Sequence, residues 1–206
     1  MLNRKLTFDN IRRQFGKLTV SQVQGFEATF DEWELWVSKK WVDADNRKLA
    51  YILATDWHEG GGTMQPVKEI GGNAYYVKLY WTNQKKAKEL GNLSAQDAID
   101  FCGKGKPQIT GRYNYTKMGK ILGYPLDKNP NLMFNLKIAT EVMFEGMLTG
   151  RSLKGDFTGL HLGQFFNPVK NDPLNARRIV NGLDKAELIK SYHVKFLKCI
   201  VWEVKI

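Results

Sequence analysis

The stretch ATDWHEGGGTMQPVKE, residues 54–69, separates two parts of the sequence that differ in their pattern of apolar residues. Before it, apolar residues such as Val23, Phe26 and Phe30 recur at spacings of three and four, which is the period of an amphipathic helix. After it, the run NAYYVKLYW, residues 73–81, alternates in a way that predicts a strand. The sequence therefore predicts an α+β fold that is mainly helical, with a small β element in the middle.

Capping residues and glycines indicate where the helices begin and end. Thr7 is the expected cap of a first helix that Gly16 stops, and Thr19 or Ser21 begins a second helix. Asp43 or Asp45 caps a third helix, which ends at three consecutive glycines, Gly60, Gly61 and Gly62. Further helices are predicted over residues 84–90, 94–101, 114–122, 135–148, 173–180 and 184–197, with an edge strand over residues 199–206.

Length and composition fit one soluble domain over residues 1–206. The chain is 43% hydrophobic, which excludes wholesale disorder, and contains no run near the roughly 20 apolar residues of a membrane span. The N-terminal residues lack the apolar core of a signal peptide, so we expect synthesis in a cytoplasm, where Cys102 and Cys199 stay reduced. The wide spacing of histidines and cysteines predicts no metal site, and we expect a monomer without a cofactor.

The formal net charge of +10 favours polyanionic partners, such as nucleic acid, anionic lipid or a bacterial wall rich in phosphate and carboxylate. The basic residues are spread from Lys5 to Lys205 and form no concentrated arm of the kind that clamps a duplex. We therefore expect neither a nucleic-acid partner nor stable membrane insertion. Solubility with weak, unspecific attraction to anions is the simplest alternative.

Two glutamates in the dividing stretch are candidates for acid–base chemistry. Glu59 is expected at the C-terminal end of a helix, where the partial negative charge disfavours an ionised carboxylate, and Trp57 and Met64 would add desolvation. A carboxyl group held protonated near neutral pH is what a general acid requires. Glu69 follows a turn at Pro66, so it would face Glu59 across a cleft if this segment folded back as a hairpin.

Two carboxylates in one cleft are the minimal equipment for glycoside hydrolysis. The alternative for each glutamate is an ordinary solvated side chain. His58 precedes Glu59 and points about 100° away from it on the helix, so a structural hydrogen-bonding role is simpler than that of the base.

Residues 103–115, GKGKPQITGRYNY, combine amide, hydroxyl, guanidinium and aromatic groups. Amides and hydroxyls match the hydroxyl and N-acetyl groups of sugars, and aromatic faces cover their C–H surfaces. The phosphate-loop spacing GxxxxGK[ST] is absent, so nucleotide binding is not expected. A third segment, residues 176–188, places Arg177, Arg178 and Asn181 at a junction between two helices. Alone, it would be interpreted as a surface turn or a weak basic patch.

These segments, in this order, resemble glycoside hydrolase family 19, the chitinase-like group that includes many bacteriophage endolysins. His58-Glu59 and the glycines are similar to the family's H-E-[ST]-G element, and residues 103–115 to its G-R-G-P-x-Q-L-[ST]-G-x-x-N-Y. Residues 177–188 are similar to its R-x-I-N-G element and the helix that follows it. The N-terminal residues 9–33 also resemble the opening of phage members, so the resemblance covers nearly the whole chain.

The resemblance implies a lysozyme-like fold with two lobes, a small β element and a central cleft. It also implies an inverting mechanism with Glu59 as proton donor, Glu69 as base and Thr110 holding the catalytic water. The expected substrate-binding residues are His58, Gln108, Arg112, Asn114, Tyr115, Arg178 and Asn181.

The chain departs from the family pattern in three places. Lys104 and Lys106-Pro107 replace an arginine and a proline-aliphatic pair, and small or glycine residues follow Glu59. The second carboxylate lies in a region of variable length, so Glu89 is a rival for the base. Glu89 belongs to the lysine-rich segment QKKAKEL, where a solvated salt bridge is the simpler interpretation.

The resulting hypothesis is endo-hydrolysis of β-1,4 bonds in an N-acetylglucosamine-containing polymer. Peptidoglycan is favoured over chitin because the chain is basic and has almost no cysteine, unlike secreted plant chitinases. A phage endolysin that waits in the host cytoplasm, and reaches the periplasm or wall through a membrane pore, fits this pattern. The alternatives are a chitinase, a basic nucleic-acid-binding protein, and a glycan-binding protein without catalysis.

Overall fold

The computed structural model describes residues 1–149 and 157–203. It divides into two compact units, the first formed by Met1–Met64 and Met143–Ile206 and the second by Gln65–Val142. The expected single domain over the whole chain stays a prediction. In the part of the chain that is described, no helix is both long and apolar enough to cross a membrane.

The structure is mainly helical, with two very small antiparallel sheets, which confirms the predicted α+β class. The elements, in chain order, are α1 (Arg4–Phe15), α2 (Val20–Ser38), α3 (Asn46–Glu59), β1 (Val67–Lys68), α4 (Asn73–Val77), α5 (Gln84–Leu90), α6 (Ala95–Asp100), β2 (Lys104–Gly105), α7 (Arg112–Leu122), α8 (Leu136–Met147), β3 (Phe166–Asn167), β4 (Lys170–Asn171) and α9 (Ala186–Leu197). A π-helical turn covers Lys78–Thr82, and 3-10 turns cover Pro130–Phe134, Leu162–Gln164 and Asn175–Ile179.

Helix α3 is the central element of the first unit. Asp45 caps it, because a side-chain oxygen of Asp45 accepts a hydrogen bond from the Arg47 amide. Every residue from Lys48 to Asp56 is buried, so the helix is surrounded on all sides rather than along one stripe. It packs most extensively against α9, and its end lies near an aromatic cluster in which Phe15 stacks on Phe196 and contacts Trp57.

The predicted bounds of α2 are confirmed, and its start is fixed by a complete capping box. Thr19 accepts a hydrogen bond from the Gln22 amide, and the Gln22 side chain accepts one from the Thr19 amide. The predicted apolar stripe supplies Phe26, Phe30 and Trp33, all fully buried.

The segment that follows α3 is docked tightly onto α2. Gln22 donates a hydrogen bond from its side chain to the carbonyl of Gly62 (2.7 Å). A Cβ on Gly25 would lie 2.0 Å from the Met64 carbonyl oxygen, so only glycine permits this approach. Gly62 also adopts a positive φ of 80° and lies against the Trp57 ring, so the fold itself favours glycine at this position after Glu59.

Residues 73–81 form helical structure, so the predicted strand is wrong. Tyr76 is fully buried and its hydroxyl lies 2.6 Å from the Glu69 carbonyl oxygen, whereas Tyr75 and Leu79 are exposed. A short apolar run carries too little periodicity to distinguish a strand from a helix, and no strand among the described residues pairs with this run.

The β element is instead formed by β1 and β2. The 35 residues between them include helices α4, α5 and α6. Val67 pairs with Gly105, and Lys68 pairs with Lys104. The stretch after Gly62 therefore does not fold back on itself as the expected hairpin, because its strand partner comes from the motif at residues 103–115.

Three other helix boundaries differ from the predictions. In two of them, the residue expected to cap the helix is hydrogen-bonded to a residue elsewhere in the chain. Asn3, not Thr7, caps α1, and the Thr7 hydroxyl accepts a hydrogen bond from the Val201 amide (3.1 Å). Asp184 does not cap α9; its carbonyl accepts a hydrogen bond from Arg177 instead. The helix expected from Pro173 is a 3-10 turn at Asn175–Ile179.

The remaining helices agree with the predictions to within two residues. Ser94 caps α6 as expected. The C-terminal edge strand is limited to a single bridge between Leu2 and Trp202, and residues 204–206 lie outside the described part of the chain. Cys102 and Cys199 are both free and buried.

A buried histidine in the first unit predicts a pH-dependent stability. His193 is 2% exposed, stacks on Phe166, and has no hydrogen-bond partner for either ring nitrogen among the described residues. Burial lowers its pKa from 6.5 to about 4, against the opposing influence of the Arg47 backbone and Asp45. The unfolded chain then binds the proton more tightly, so the free energy of unfolding should fall as the pH drops from about 6.5 to 4, by about 3 kcal/mol.

Urea unfolding at several pH values checks this prediction. The variant His193→Leu should lose most of the decline between pH 6.5 and 4.5, whereas His161→Gln, at a half-buried site, should retain it. An unchanged decline in His193→Leu would show that other groups cause the acid sensitivity.

Candidate active site

Glu59 is the last residue of α3, as predicted, and its side chain is largely buried (16% exposed). Gly60 follows as the C-cap, with its amide bonded to the Asp56 carbonyl. The helix end and the docked glycine segment together hold the Glu59 backbone in one place.

The partner of Glu59 is Arg177, from the 3-10 turn before α9. Its Nη1 lies 2.6 Å from Glu59 Oε1, and its Nε donates a hydrogen bond to the Asp184 carbonyl (3.0 Å). Arg177 is 3% exposed, so this is a nearly buried ion pair. Sequence analysis did not anticipate this partner, and the charge-assisted hydrogen bond fixes the orientation of the Glu59 carboxyl group.

Glu69 occupies a comparably well-defined position in the second unit. Its backbone amide donates to the Gly103 carbonyl (2.8 Å), and the Gly103 amide donates to Glu69 Oε2 (3.1 Å). A Cβ on residue 103 would lie 3.1 Å from the Glu69 Cβ, so glycine is required for this contact. The pairing of β1 with β2 thus carries Glu69 to the start of the motif at residues 103–115.

Sequence reasoning missed a second group that holds Glu69. The Tyr80 hydroxyl lies 2.7 Å from Glu69 Oε1, and the Tyr80 carbonyl accepts a hydrogen bond from Asn92 (3.0 Å). Burial and the hydrogen bond to Glu69 raise the pKa of Tyr80, so it remains a protonated donor. The sequence does not indicate this contact between Tyr80 and Glu69, because its pattern predicts a strand over residues 73–81.

The motif at residues 103–115 forms a tight reverse turn. Lys104 bridges to Ile109, and Gln108 adopts a left-handed φ of 53°. The Gln108 side-chain amide donates to the carbonyls of Val67 (2.8 Å) and Gly105 (2.7 Å). Gln108 therefore joins the turn to β1, and only its side-chain oxygen remains for another donor, such as a sugar hydroxyl.

Thr110 and Asn114 follow this turn, and both are half-buried. The Thr110 hydroxyl donates a long hydrogen bond to the Gln108 carbonyl (3.4 Å), and the Asn114 amide donates to the Thr110 carbonyl (2.7 Å). The hydroxyl oxygen retains acceptor capacity, which is compatible with the predicted water-holding role.

Two predicted substrate-binding residues, Arg112 and Tyr115, make structural contacts within the second unit. Arg112 donates from Nε and Nη2 to both carboxylate oxygens of Asp97, each at 2.6 Å, and this pairing lowers the pKa of Asp97. Tyr115 is fully buried, and its hydroxyl donates to the Cys102 carbonyl (2.8 Å). Both side chains hold α7 in place, and their predicted sugar contacts remain predictions.

In the third motif, Arg177 rather than Arg178 contacts a candidate catalytic group. Arg178 is exposed and donates to Asn175 (3.3 Å), and Asn181 is exposed, with its side-chain oxygen bonded to the Gly182 amide (2.9 Å). His58 is half-buried, and burial lowers its pKa, with a smaller opposing effect of Glu59. Their predicted substrate contacts remain predictions.

Glu89, the rival base, lies on the exposed face of α5. Its carboxylate is 3.6 Å from the Lys86 ammonium, at the i,i+3 spacing of a surface salt bridge. Glu69 is therefore the better candidate. Within residues 1–149 and 157–203, no cluster of three or more His, Cys, Asp or Glu side chains is arranged to hold a metal ion.

The fold is shared with known chitinases. A bacterial family 19 chitinase aligns over 93% of this chain and 92% of its own, at 17% identity and a TM-score of 0.58. Chitinase C from Streptomyces griseus HUT6037 aligns over 96% of this chain and 77% of its own, at 17% identity and a TM-score of 0.59. No protein-family profile and no curated protein sequence matches the chain. The chain thus has the fold of family 19 chitinases, as the sequence motifs indicated.

The ion pair between Arg177 and Glu59 predicts a large difference between two adjacent arginines. Arg177→Met leaves a largely buried carboxylate without its cation and should lower the free energy of unfolding by about 3 kcal/mol. Arg178→Met, at an exposed position, should change it by less than about 0.5 kcal/mol.

Urea unfolding of the two single variants and of Arg177→Met/Glu59→Gln measures this difference. The double variant should recover much of the loss, because the uncompensated charge is gone. Equal stabilities of Arg177→Met and Arg178→Met would contradict the assignment of the ion pair as a structural element of the site.

Proposed function

We propose that this protein is a glycosidase that hydrolyses β-1,4 bonds within N-acetylglucosamine-containing polymers. The observation that carries the proposal is a pair of glutamates, each held by specific donors, on the fold of family 19 chitinases. Two carboxyl groups suffice for glycoside hydrolysis, one as acid and one as base or nucleophile.

The contacts of the two glutamates support different roles. Glu69 accepts hydrogen bonds from the Tyr80 hydroxyl and the Gly103 amide, and these two contacts fix the orientation that a base requires. In an inverting reaction, Glu69 removes a proton from a water that Thr110 helps to hold. This water attacks the anomeric carbon while the glycosidic C–O bond breaks.

Glu59 supplies the proton to the leaving oxygen. Arg177 binds Oε1, so Oε2 is the oxygen that would carry this proton while Oε1 continues to accept from the guanidinium. Inversion requires roughly 6.5–9.5 Å between the two carboxyl groups, to leave room for the water. The assignment of Glu59 as acid and Glu69 as base follows the resemblance of these residues to the family 19 motifs.

Peptidoglycan is the polymer that we propose as the substrate, with chitin as the alternative. The net charge of +10 supports an anionic wall as the natural target, because it draws the protein to a phosphate- and carboxylate-rich surface. We further propose a phage endolysin that is held in the host cytoplasm and released to the wall through a pore.

Replacement of either glutamate by glutamine tests the catalytic pair. Glu59→Gln and Glu69→Gln should each reduce hydrolysis about 10²–10⁴-fold, the usual contribution of general acid–base catalysis. Glu89→Gln, which removes an exposed carboxylate, is the matched control and should retain wild-type activity. The measurement is release of reducing ends from purified peptidoglycan and from chitin, with circular dichroism to verify folding.

More than about a tenth of the wild-type activity in Glu59→Gln would contradict its role as the acid. Wild-type activity in Glu69→Gln, together with a large loss of activity in Glu89→Gln, would assign the role of the base to Glu89. Mass spectrometry of the digested peptidoglycan identifies the bond that is cut.

Salt separates the effect of the overall charge from the chemistry. The Debye length falls from about 10 Å at 0.1 M to about 3 Å at 1 M ionic strength, so activity on whole peptidoglycan should decline over this range. Hydrolysis of a short, neutral chito-oligosaccharide should barely change, because it depends on local contacts. Equal salt sensitivity with both substrates would show that salt acts on the site or the fold, and would remove the role of the charge in wall targeting.

A further inference from the structure

A cavity of about 240 Å³ lies in the first unit, apart from Glu59. The side chains that matter for its chemistry are those of Trp41, Asp43, Lys48, Leu148, Thr149 and His161. Lys48 is the third residue of α3, and Glu59 is its last. At 1.5 Å per residue, the two lie about 16 Å apart along the helix, so the cavity is not part of the candidate active site.

The charged groups of the cavity cancel one another. The Lys48 side chain is 8% exposed, and its ammonium forms a close ion pair with Asp43. The nearby Asp45 carboxylate pairs with Arg47 (2.6 Å). Burial and the charge of Lys48 lower the pKa of His161, which is therefore neutral at pH 7. A near-neutral cavity offers no net attraction to a phosphate or carboxylate.

The polar groups supply both donors and acceptors within a small space. Lys48 donates, Asp43 accepts, and the Thr149 hydroxyl and the His161 ring can do either. This combination matches hydroxyl groups, each of which donates one hydrogen and accepts others. Since the Lys48 ammonium is buried and already paired, its orientation is fixed before a ligand arrives.

Trp41 provides the apolar side of the cavity. It is 37% exposed, and its ring packs edge-to-face on the buried Trp36 at 5.4 Å and 83°. An exposed indole held by a buried one presents a surface on which the C–H face of a sugar ring can pack. The volume is below the roughly 300–1,000 Å³ of pockets for drug-sized ligands, so it suits a single ring.

We propose that this cavity is a second saccharide-binding site, which holds one neutral sugar unit against Trp41 while its hydroxyl groups bind Asp43 and Lys48. The inference rests on the proposed function only in the choice of a saccharide as ligand. Two sites on one chain bind a long polymer with greater avidity than one, without affecting short fragments that reach only one site.

The direct test follows the Trp41 indole N–H by NMR in Glu59→Gln protein, with Trp41→Tyr identifying the signal. Titration with tri-N-acetylchitotriose, a neutral fragment of chitin built from the N-acetylglucosamine unit that peptidoglycan also contains, should shift this signal and saturate. Titration with inorganic phosphate should not shift it. A Trp41 signal that stays in place up to millimolar sugar, or one that responds to phosphate instead, would overturn the proposal.

A retention assay on insoluble polymer provides a second measurement. Trp41→Ala should reduce the bound fraction severalfold, whereas Trp41→Tyr should restore it. Leu35→Ala removes a comparably exposed apolar side chain (44%) from the same unit and should bind like the wild type. Hydrolysis of short soluble oligosaccharides should remain within about twofold for all three variants. Equal retention by Trp41→Ala and Leu35→Ala would contradict the second site.

These outcomes are separable from failure of the proposed hydrolysis, because binding is read without turnover. A shift at Trp41 in a protein that cleaves no glycan would support the second site and reject the enzyme. Cleavage of glycan together with an unchanged Trp41 signal would support the enzyme and reject the second site.

Discussion

The close packing around helix α3 is the constraint on which the first unit depends. Residues Lys48 to Asp56 are buried on every side, and α9 supplies the most extensive of their contacts. A helix enclosed in this way cannot rotate or slide without losing packing on several faces at once. Its two ends are consequently fixed, and each end carries a charged side chain with a dedicated partner.

At the C-terminal end, this rigidity gives Glu59 a defined position, and Arg177 gives it a defined orientation. At the N-terminal end, Lys48 is held by Asp43 beside an exposed tryptophan. The Glu59–Arg177 pair is nearly buried, whereas in the second pair Lys48 is buried and Asp43 is exposed. A buried ion pair adds little net stability, because both charges lose their hydration. In this protein such pairs occur where a ligand would need preorganised polar groups.

In the second unit, neutral hydrogen-bond donors fix the position of a carboxylate. Glu69 is held by a backbone amide and a tyrosine hydroxyl, and the turn that presents the amide is tied to β1 by Gln108. The two-residue strands are too short to be stable as an isolated pair. Side-chain hydrogen bonds from Gln108 and Tyr80 therefore supply much of what positions this carboxylate.

Features that depend on neighbouring residues are predictable from the amino-acid sequence. The capping box at Thr19, the cap at Asp45 and the glycines after Glu59 act within a few residues, so the helices and the position of Glu59 at a helix end were predictable. The motifs likewise indicated the family 19 fold. They could not distinguish Arg177 from Arg178, because the two are adjacent and equally charged.

Contacts between residues far apart in the chain depend on the tertiary fold. Glu59 and Arg177 are 118 positions apart, and Glu69 and Gly103 are 34 apart, so no local pattern records their contact. The burial of Tyr115, the engagement of Arg112 by Asp97 and the helical form of residues 73–81 have the same origin. Local preferences are worth a few tenths of a kcal/mol per residue, and burial of one aromatic side chain outweighs several of them.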